Sequence, residues 1–266
     1  MSEQLLYEVN EGVATITLNR PDARNALSME MRGHIVDAMM QSAALRSVRC
    51  VVLKGSGDHF MAGGDVKTFQ TLRESMSADE IEDYFQRRVS TIAPLIAQMR
   101  EMEKPVMACV QGAAAGFGFS LALACDLILA REDASFIQSY TRIGASMDGG
   151  SSYHLPRLVG TKLAMEIAML AEPIGAQRAL QLGLINRVFS TDEFEDSCAA
   201  IAARLATLPT RALAACKSLL YASLDNDFNE QMAAEARHFG ACAATEDWAE
   251  GVRAFTEKRT PQFTGR

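Results

Sequence analysis

Residues Lys104 to Leu129 read KPVMACVQGAAAGFGFSLALACDLIL. An apolar run leads into Gly112, three alanines follow, and Gly116 and Gly118 stand at the head of a second apolar run. The pattern predicts a strand entering a tight turn of small residues that opens a helix. The main-chain N–H groups at that opening face whatever lies in front of the turn. The flanking segments fit this unit. Val48 to Leu53, apolar except for Arg49, reads as a strand buried on both faces. It is followed by a second glycine turn, Ala62-Gly63-Gly64-Asp65. Asp126 to Ala130 reads as a further strand and Ser135 to Gln138 as a short one.

Working outward, Leu6 to Val9 and Val13 to Leu18 alternate around Asn10-Glu11-Gly12 and predict a hairpin. Ser28 is a candidate N-cap for a helix to about Leu45. The polar stretch Thr68 to Glu80 predicts a mobile loop or a loose helical segment. Apolar positions from Ile81 to about Glu103 recur at helical spacing, interrupted at Pro94 by a kink or a second start. Ser151 to Leu158 turns helical, a further helix starts at Gly160-Thr161, and a short strand falls at Ile185 to Val188. Helices are expected at about 192 to 207, 210 to 224, 225 to 239 and 246 to 257. This divides the chain into an α/β core, residues 1–190, and a C-terminal helical region, residues 191–266, used in packing and oligomerisation.

With 266 residues the chain can bury a substantial core, since chains of this size bury roughly 75 % of their extended surface. A net charge of −7 argues against general nucleic-acid binding. No apolar run approaches the roughly 20 residues that span a bilayer. The six cysteines form no CxxC pair and read as buried thiols of a reducing compartment, so a cytoplasmic enzyme is expected. No two histidines have metal-ligand spacing with a carboxylate, and no catalytic metal is expected.

Neither glycine turn is a dinucleotide fingerprint or a phosphate loop. Each alone is accounted for by close packing. Two such turns converging would aim two N–H donors at one carbonyl oxygen, an oxyanion hole. At this point the chain resembles the enoyl-CoA hydratase/isomerase, or crotonase, family nearly end to end. The resemblance rests on Asn19-Arg20-Pro21 with Asn25-Ala26-Leu27, Phe60 to Asp65, Lys104-Pro105-Val106, Gly112 to Gly118 with Cys125-Asp126, Leu155 to Gly160, Ala179 to Val188 and Phe255 to Arg259.

The resemblance implies a crotonase-like (ClpP/crotonase) spiral of β-β-α turns with a C-terminal helical region, assembled as a homotrimer or a dimer of trimers. It implies an acyl-CoA thioester as the ligand, with coenzyme A part of the substrate and no separate cofactor. The N–H groups of Gly64 and Phe117 would form the oxyanion hole, although relatives commonly carry glycine at the Phe117 position. Arg24, Ala26, Ala62 and Asp65 match the part that grips the CoA moiety. Phe255 and Lys258 match tail positions that complete it, from the same or a neighbouring subunit.

The hydratase pattern uses two glutamates, and this chain has Ser120 and Tyr140 at those positions. Neither supplies the carboxylate that adding water calls for. Asp148, in Ile143 to Gly150, matches the aspartate of isomerase-type relatives. Taken without the resemblance, it is better read as an Asx turn or helix N-cap. The expected activity is therefore an acyl-CoA isomerase that shifts a proton or double bond in an unsaturated or ring-derived thioester, with Asp148 as acid/base. An enoyl-CoA hydratase with an unconventional arrangement, or a CoA-ester-binding protein with little activity, are the alternatives. The dehalogenase relatives also need a histidine before the Lys104-Pro105 segment, and none occurs between His59 and His154.

Overall fold

The computed structural model describes residues 3–266. Strands β1 (Leu5–Asn10) and β2 (Val13–Leu18) form an antiparallel hairpin. Its two-residue turn uses Glu11 and Gly12, both at positive φ, as the twist of a tight hairpin demands. Helix α1 (Met29–Ala44) starts at Ser28, whose hydroxyl accepts the Met31 N–H, as the sequence predicts. Strand β3 (Cys50–Gly55) lies parallel to β2.

Residues predicted as a loop or loose helix after the first glycine turn are instead two capped helices. They are α2 (Val66–Ser75), capped by Asp65, and α3 (Ala78–Ser90), opened by a Ser77/Glu80 capping box. Neither buries a residue, which is why apolar periodicity was weak there: the capping residues carry the signal. The helix expected from Ile81 to Glu103 is broken at Thr91, and α4 (Ala93–Glu101) restarts with Pro94 in its first turn, where a missing N–H costs nothing.

Strand β4 (Val106–Val110) continues the parallel sheet. The three alanines, expected within the turn, are strand β5 (Ala113–Ala115) of a second sheet. Helix α5 (Phe117–Leu123), strand β6 (Leu127–Arg131) and strand β7 (Ser135–Ile137) follow. Helix α6 spans Ser151–Leu170 but has non-helical dihedrals at Gly160, so the predicted restart is there. Strand β8 (Ile174–Gly175), helix α7 (Ala176–Gln181) and strand β9 (Arg187–Phe189) complete the core, the last a residue or two later than predicted. Helices α8 (Phe194–Thr207), α9 (Thr210–Ala222), α10 (Phe228–Ala243) and α11 (Glu246–Glu257) end the chain.

The larger sheet has the order β1-β2-β3-β4-β6-β9 and the smaller β5-β7-β8. Strands β3 and β4 are buried on both faces because their alternate residues enter different cores. Val51, Leu53, Val106, Ala108 and Val110 face the main core with α1 and α4 residues. Cys50, Val52, Met107 and Cys109 pack against Phe194, Cys198, Ala202 and Ala206 of α8. Among the described residues no helix is long and apolar enough to cross a membrane. Two isolated parallel bridges, Leu27 to Gly64 and Met61 to Ala114, extend the smaller sheet's layer across the loops after β2 and β3. Those bridges bring the two glycine turns side by side.

Candidate active site

The first turn is clamped from below. Buried Asn25 accepts the Arg20 N–H at 2.8 Å and donates to the Ser56 and His59 carbonyls at 2.9 and 2.7 Å. The Arg24 carbonyl accepts the Ala62 N–H at 2.9 Å, and the Leu27 N–H donates to Gly63 at 2.7 Å. Arg20 spans to the Ala26 carbonyl at 2.6 Å and to Asp65 at 3.3 Å. Arg24 is thus tied to Ala62 through the main chain, and Ala26 to Asp65 through Arg20. Asp65, expected at the ligand, caps α2 and pairs with Arg20. His59 is a fastening of this layer, since its Nδ1 accepts the Ala113 N–H at 3.1 Å.

The second turn meets the first at Gly63. With φ of +89°, a Cβ there would stand 2.9 Å from the Ala115 carbonyl oxygen and 3.6 Å from the Phe117 nitrogen. Among the described residues, the N–H groups of Gly64 and Phe117 donate to no main-chain acceptor. Each is a main-chain donor left over by the fold. The Phe117 ring is buried against Gly149, where an added Cβ would meet Cε2 at 2.9 Å.

That contact places the Asp148 loop over the second turn. A short 3-10 helix, Ser139–Ile143, presents Tyr140, whose hydroxyl donates to Asp148 Oδ1 at 2.5 Å. Ser120 Oγ lies 2.9 Å from the Tyr140 oxygen. Burial pushes the Asp148 carboxyl above the usual carboxylate range, while the Tyr140 hydrogen bond and the Arg88 charge pull it partly back. Burial and the adjacent carboxylate push Tyr140 far above its ordinary value, so the phenol stays neutral and acts as donor. His154 is lowered to about 4 by burial, Arg100 and Arg157, and is therefore neutral near pH 7.

Sequence reading missed the wall in front of Gly64. A Cβ on Gly64 would meet the Phe69 ring at 2.6 Å. Phe69 of α2 meets Phe85 of α3 edge to face at 5.1 Å, and Arg88 lies over Phe69 at 5.2 Å. The available signal was Phe69, the one aromatic residue between Thr68 and Glu80. The structure does not bring Phe255 and Lys258 into this cluster. Phe255, 85 % exposed, lines a separate cavity of about 420 Å³ with Trp248, Val252 and Phe263. Lys258 ends α11 at φ of +56°.

A mostly parallel sheet carrying a second layer of short strands, with its two glycine turns side by side, is the crotonase-like spiral and defines a class of acyl-CoA enzymes. Residues 8–266 match the model of the enoyl-CoA hydratase/isomerase family, and the chain belongs to that family. A probable enoyl-CoA hydratase of Rhodobacter capsulatus is 41% identical over 262 residues, covering 98% of this chain and 97% of that protein. The 1,2-epoxyphenylacetyl-CoA isomerase of Escherichia coli K12 is 32% identical, with 100% of both chains covered. The crystal structure of an enoyl-CoA hydratase from Polaromonas sp. JS666 superposes with a TM-score of 0.90 at 36% identity, over 98% of this chain and 99% of that one. General hydratase/isomerase chemistry on acyl-CoA substrates follows from the family.

Proposed function

We propose that the protein is an acyl-CoA isomerase in which Asp148 moves a proton along an unsaturated or ring-derived acyl chain. The observation that carries this reading is the Tyr140 hydroxyl donating to Asp148 in a loop whose Gly149 packs against Phe117 and Ser120. Ser120 and Tyr140 stand where the hydratase pattern has glutamates, and their hydroxyls are spent on this hydrogen-bonded line. The thioester oxygen lies between the Gly64 and Phe117 N–H groups. Asp148, through the oxygen not engaged by Tyr140, takes a proton α or γ to the thioester. The C–H electron pair moves into the conjugated system and onto the thioester oxygen. The resulting dienolate is stabilised by the two donors, each contributing about 3 kcal/mol. The protonated carboxyl then returns its proton at the other end of the system. Desolvation favours this role by bringing the acid and carboxylate forms closer in energy.

Phe255 and Lys258 complete the CoA site from a neighbouring subunit in a trimer or dimer of trimers. Support comes from the exposure of Phe255 and from Leu220, Phe228 and Phe239 on the helical region, all more than 70 % exposed in the single chain.

The test is incubation with 2-enoyl- and 3-enoyl-CoA panels in deuterated water, following both hydration and proton exchange. Double-bond migration or exchange in the wild type, lost in Asp148→Asn, is the expected result. Hydration that survives the substitution would sink the assignment. A hydratase is the second reading, favoured by the name of the Rhodobacter capsulatus relative; it predicts net water addition with no migration. Binding without turnover, across epoxide and aryl esters as well, would mark a CoA-ester-binding protein.

A further inference from the structure

The hydrogen-bonded line beneath Asp148 does not stop at Tyr140. Ser120 Oγ, 2.9 Å from the Tyr140 oxygen, is also 3.3 Å from the Gly116 carbonyl oxygen. That carbonyl and the Phe117 N–H are the two ends of one peptide unit. The line therefore runs from Asp148 through two hydroxyls to the back of an oxyanion donor. Ser120 is fully buried, so bulk water does not interrupt it there.

Each hydroxyl has a single proton, and this fixes the line's direction. An ionised Asp148 only accepts, so Tyr140 donates to it. The Tyr140 oxygen is then best served by the Ser120 proton. The Gly116 carbonyl keeps its two main-chain donors, the N–H groups of Phe119 at 3.0 Å and Ser120 at 3.1 Å. Once Asp148 carries a proton, its acceptor oxygen loses charge, and charge-assisted bonds are about twice as strong as neutral ones. Tyr140 can then turn to Ser120, and Ser120 to the Gly116 carbonyl. Two bonds exist in either direction. The second arrangement pulls on the carbonyl end of the Gly116–Phe117 peptide and so strengthens its N–H as a donor.

We propose that Ser120 and Tyr140 are positioning residues that form a reversible hydroxyl switch, strengthening the Phe117 N–H as a donor when Asp148 holds the proton taken from substrate. The donor improves at the moment the dienolate oxygen bears its charge, and relaxes when Asp148 gives the proton back. No proton is gained or lost by the line; its two hydroxyls only reorient. This rests on the proposed roles of Asp148 and of the Phe117 N–H.

The experiment is isotope-edited difference Raman spectroscopy of butanoyl-CoA carrying a 13C carbonyl, bound to the enzyme across the Asp148 titration. Because that carboxyl titrates above the usual range, the protonated form is reached before strongly acid conditions. In the wild type the bound carbonyl stretch should lie below that of free ligand and fall further as Asp148 protonates. In Ser120→Ala the first shift should persist and the pH-dependent one vanish. The same variant should lose kcat roughly tenfold with KM little changed, the pattern of an interaction made only in the transition state. Tyr140→Phe should also flatten the pH dependence, and Asp148→Asn should hold one frequency throughout. A pH-dependent shift that survives in both Ser120→Ala and Tyr140→Phe, or one absent from the wild type, overturns the switch. A wild-type carbonyl not lowered on binding overturns the oxyanion assignment and the switch with it. Isomerase activity retained in Asp148→Asn overturns the assignment of the base.

Discussion

Gly118→Ala is the substitution that most directly probes how the two glycine turns are held together. Gly118 lies in the first turn of α5, and a Cβ there would stand 2.2 Å from the Met61 carbonyl oxygen and 2.8 Å from the Met61 Cβ. The first distance is more than 1 Å short of ordinary van der Waals contact at 3.4 Å, and the atom it meets is main chain. Met61 cannot step aside alone, because its carbonyl accepts the Ala115 N–H at 2.9 Å and its N–H donates to Ala113 at 3.0 Å. Helix α5 must instead back away from the layer that carries Gly64. Overpacking costs about 1–3 kcal/mol, while alanine in a helix gains up to about 1 kcal/mol over glycine. The net stability loss should thus be about 3 kcal/mol or less. Activity should fall far more, because a displacement of about 1 Å between groups that act together costs on the order of a hundredfold. The assay pairs urea unfolding with turnover of an enoyl-CoA substrate. Gly33→Ala is the control: Gly33 sits in α1 with nothing within 4 Å of an added Cβ, so it should gain up to about 1 kcal/mol and keep full activity. A Gly118→Ala protein as active as wild type would refute the idea that this contact sets the spacing of the two donors.

Lys217 donates to Asp126 at 2.8 Å and to the Met99 and Lys104 carbonyls at 2.6 and 3.1 Å. Lys217→Ala leaves that carboxylate and two carbonyls without this donor and should cost about 3–5 kcal/mol; an unchanged urea midpoint would contradict the role. The Asp148 carboxyl is raised in the folded state, so the native protein binds more protons than the unfolded chain just above the ordinary carboxylate pKa. Its contribution is therefore fully present below that value and is lost as pH rises through the folded pKa. Asp148→Asn should melt higher than wild type near neutrality, with the gap closing as pH falls towards 4; a gap that widens on acidification reverses the sign and the argument. Among the cysteines, Cys50, Cys109, Cys125 and Cys198 are buried and Cys216 is exposed, and burial pushes the Cys50 thiol up to about 12. A thiol reagent should label Cys216 in the native protein and those four only after unfolding, a difference read by mass spectrometry.

Local pattern alone determined the strands β2, β3, β4 and β6, the Ser28 cap, the restart at Gly160 and the succession of C-terminal helices. Each is written in a window of a few residues, as apolar runs, caps or glycine punctuation. The two glycine turns were legible in the same way, while the absence of a carboxylate at Ser120 and Tyr140 came only from the resemblance to the family. Helices α2 and α3 were only half legible, since neither buries a face and their start signals lie in Asp65 and Ser77. What only the tertiary structure decided is which of these residues meet. Gly63 and Phe117 are more than fifty positions apart and are neighbours because two isolated bridges continue the smaller sheet across both turns. By resemblance Tyr140 stands at a glutamate position, and only the Ser139–Ile143 turn makes it the donor to Asp148. The strand and helix of the Lys104–Leu129 unit were legible in the sequence, but the three alanines between them form strand β5 and not part of the turn. No local pattern reveals that the Gly116–Phe117 peptide has its N–H directed to one side and its carbonyl to Ser120 on the other, because hydrogen-bond direction depends on atoms from separate turns of the chain brought within 3 Å or so of one another.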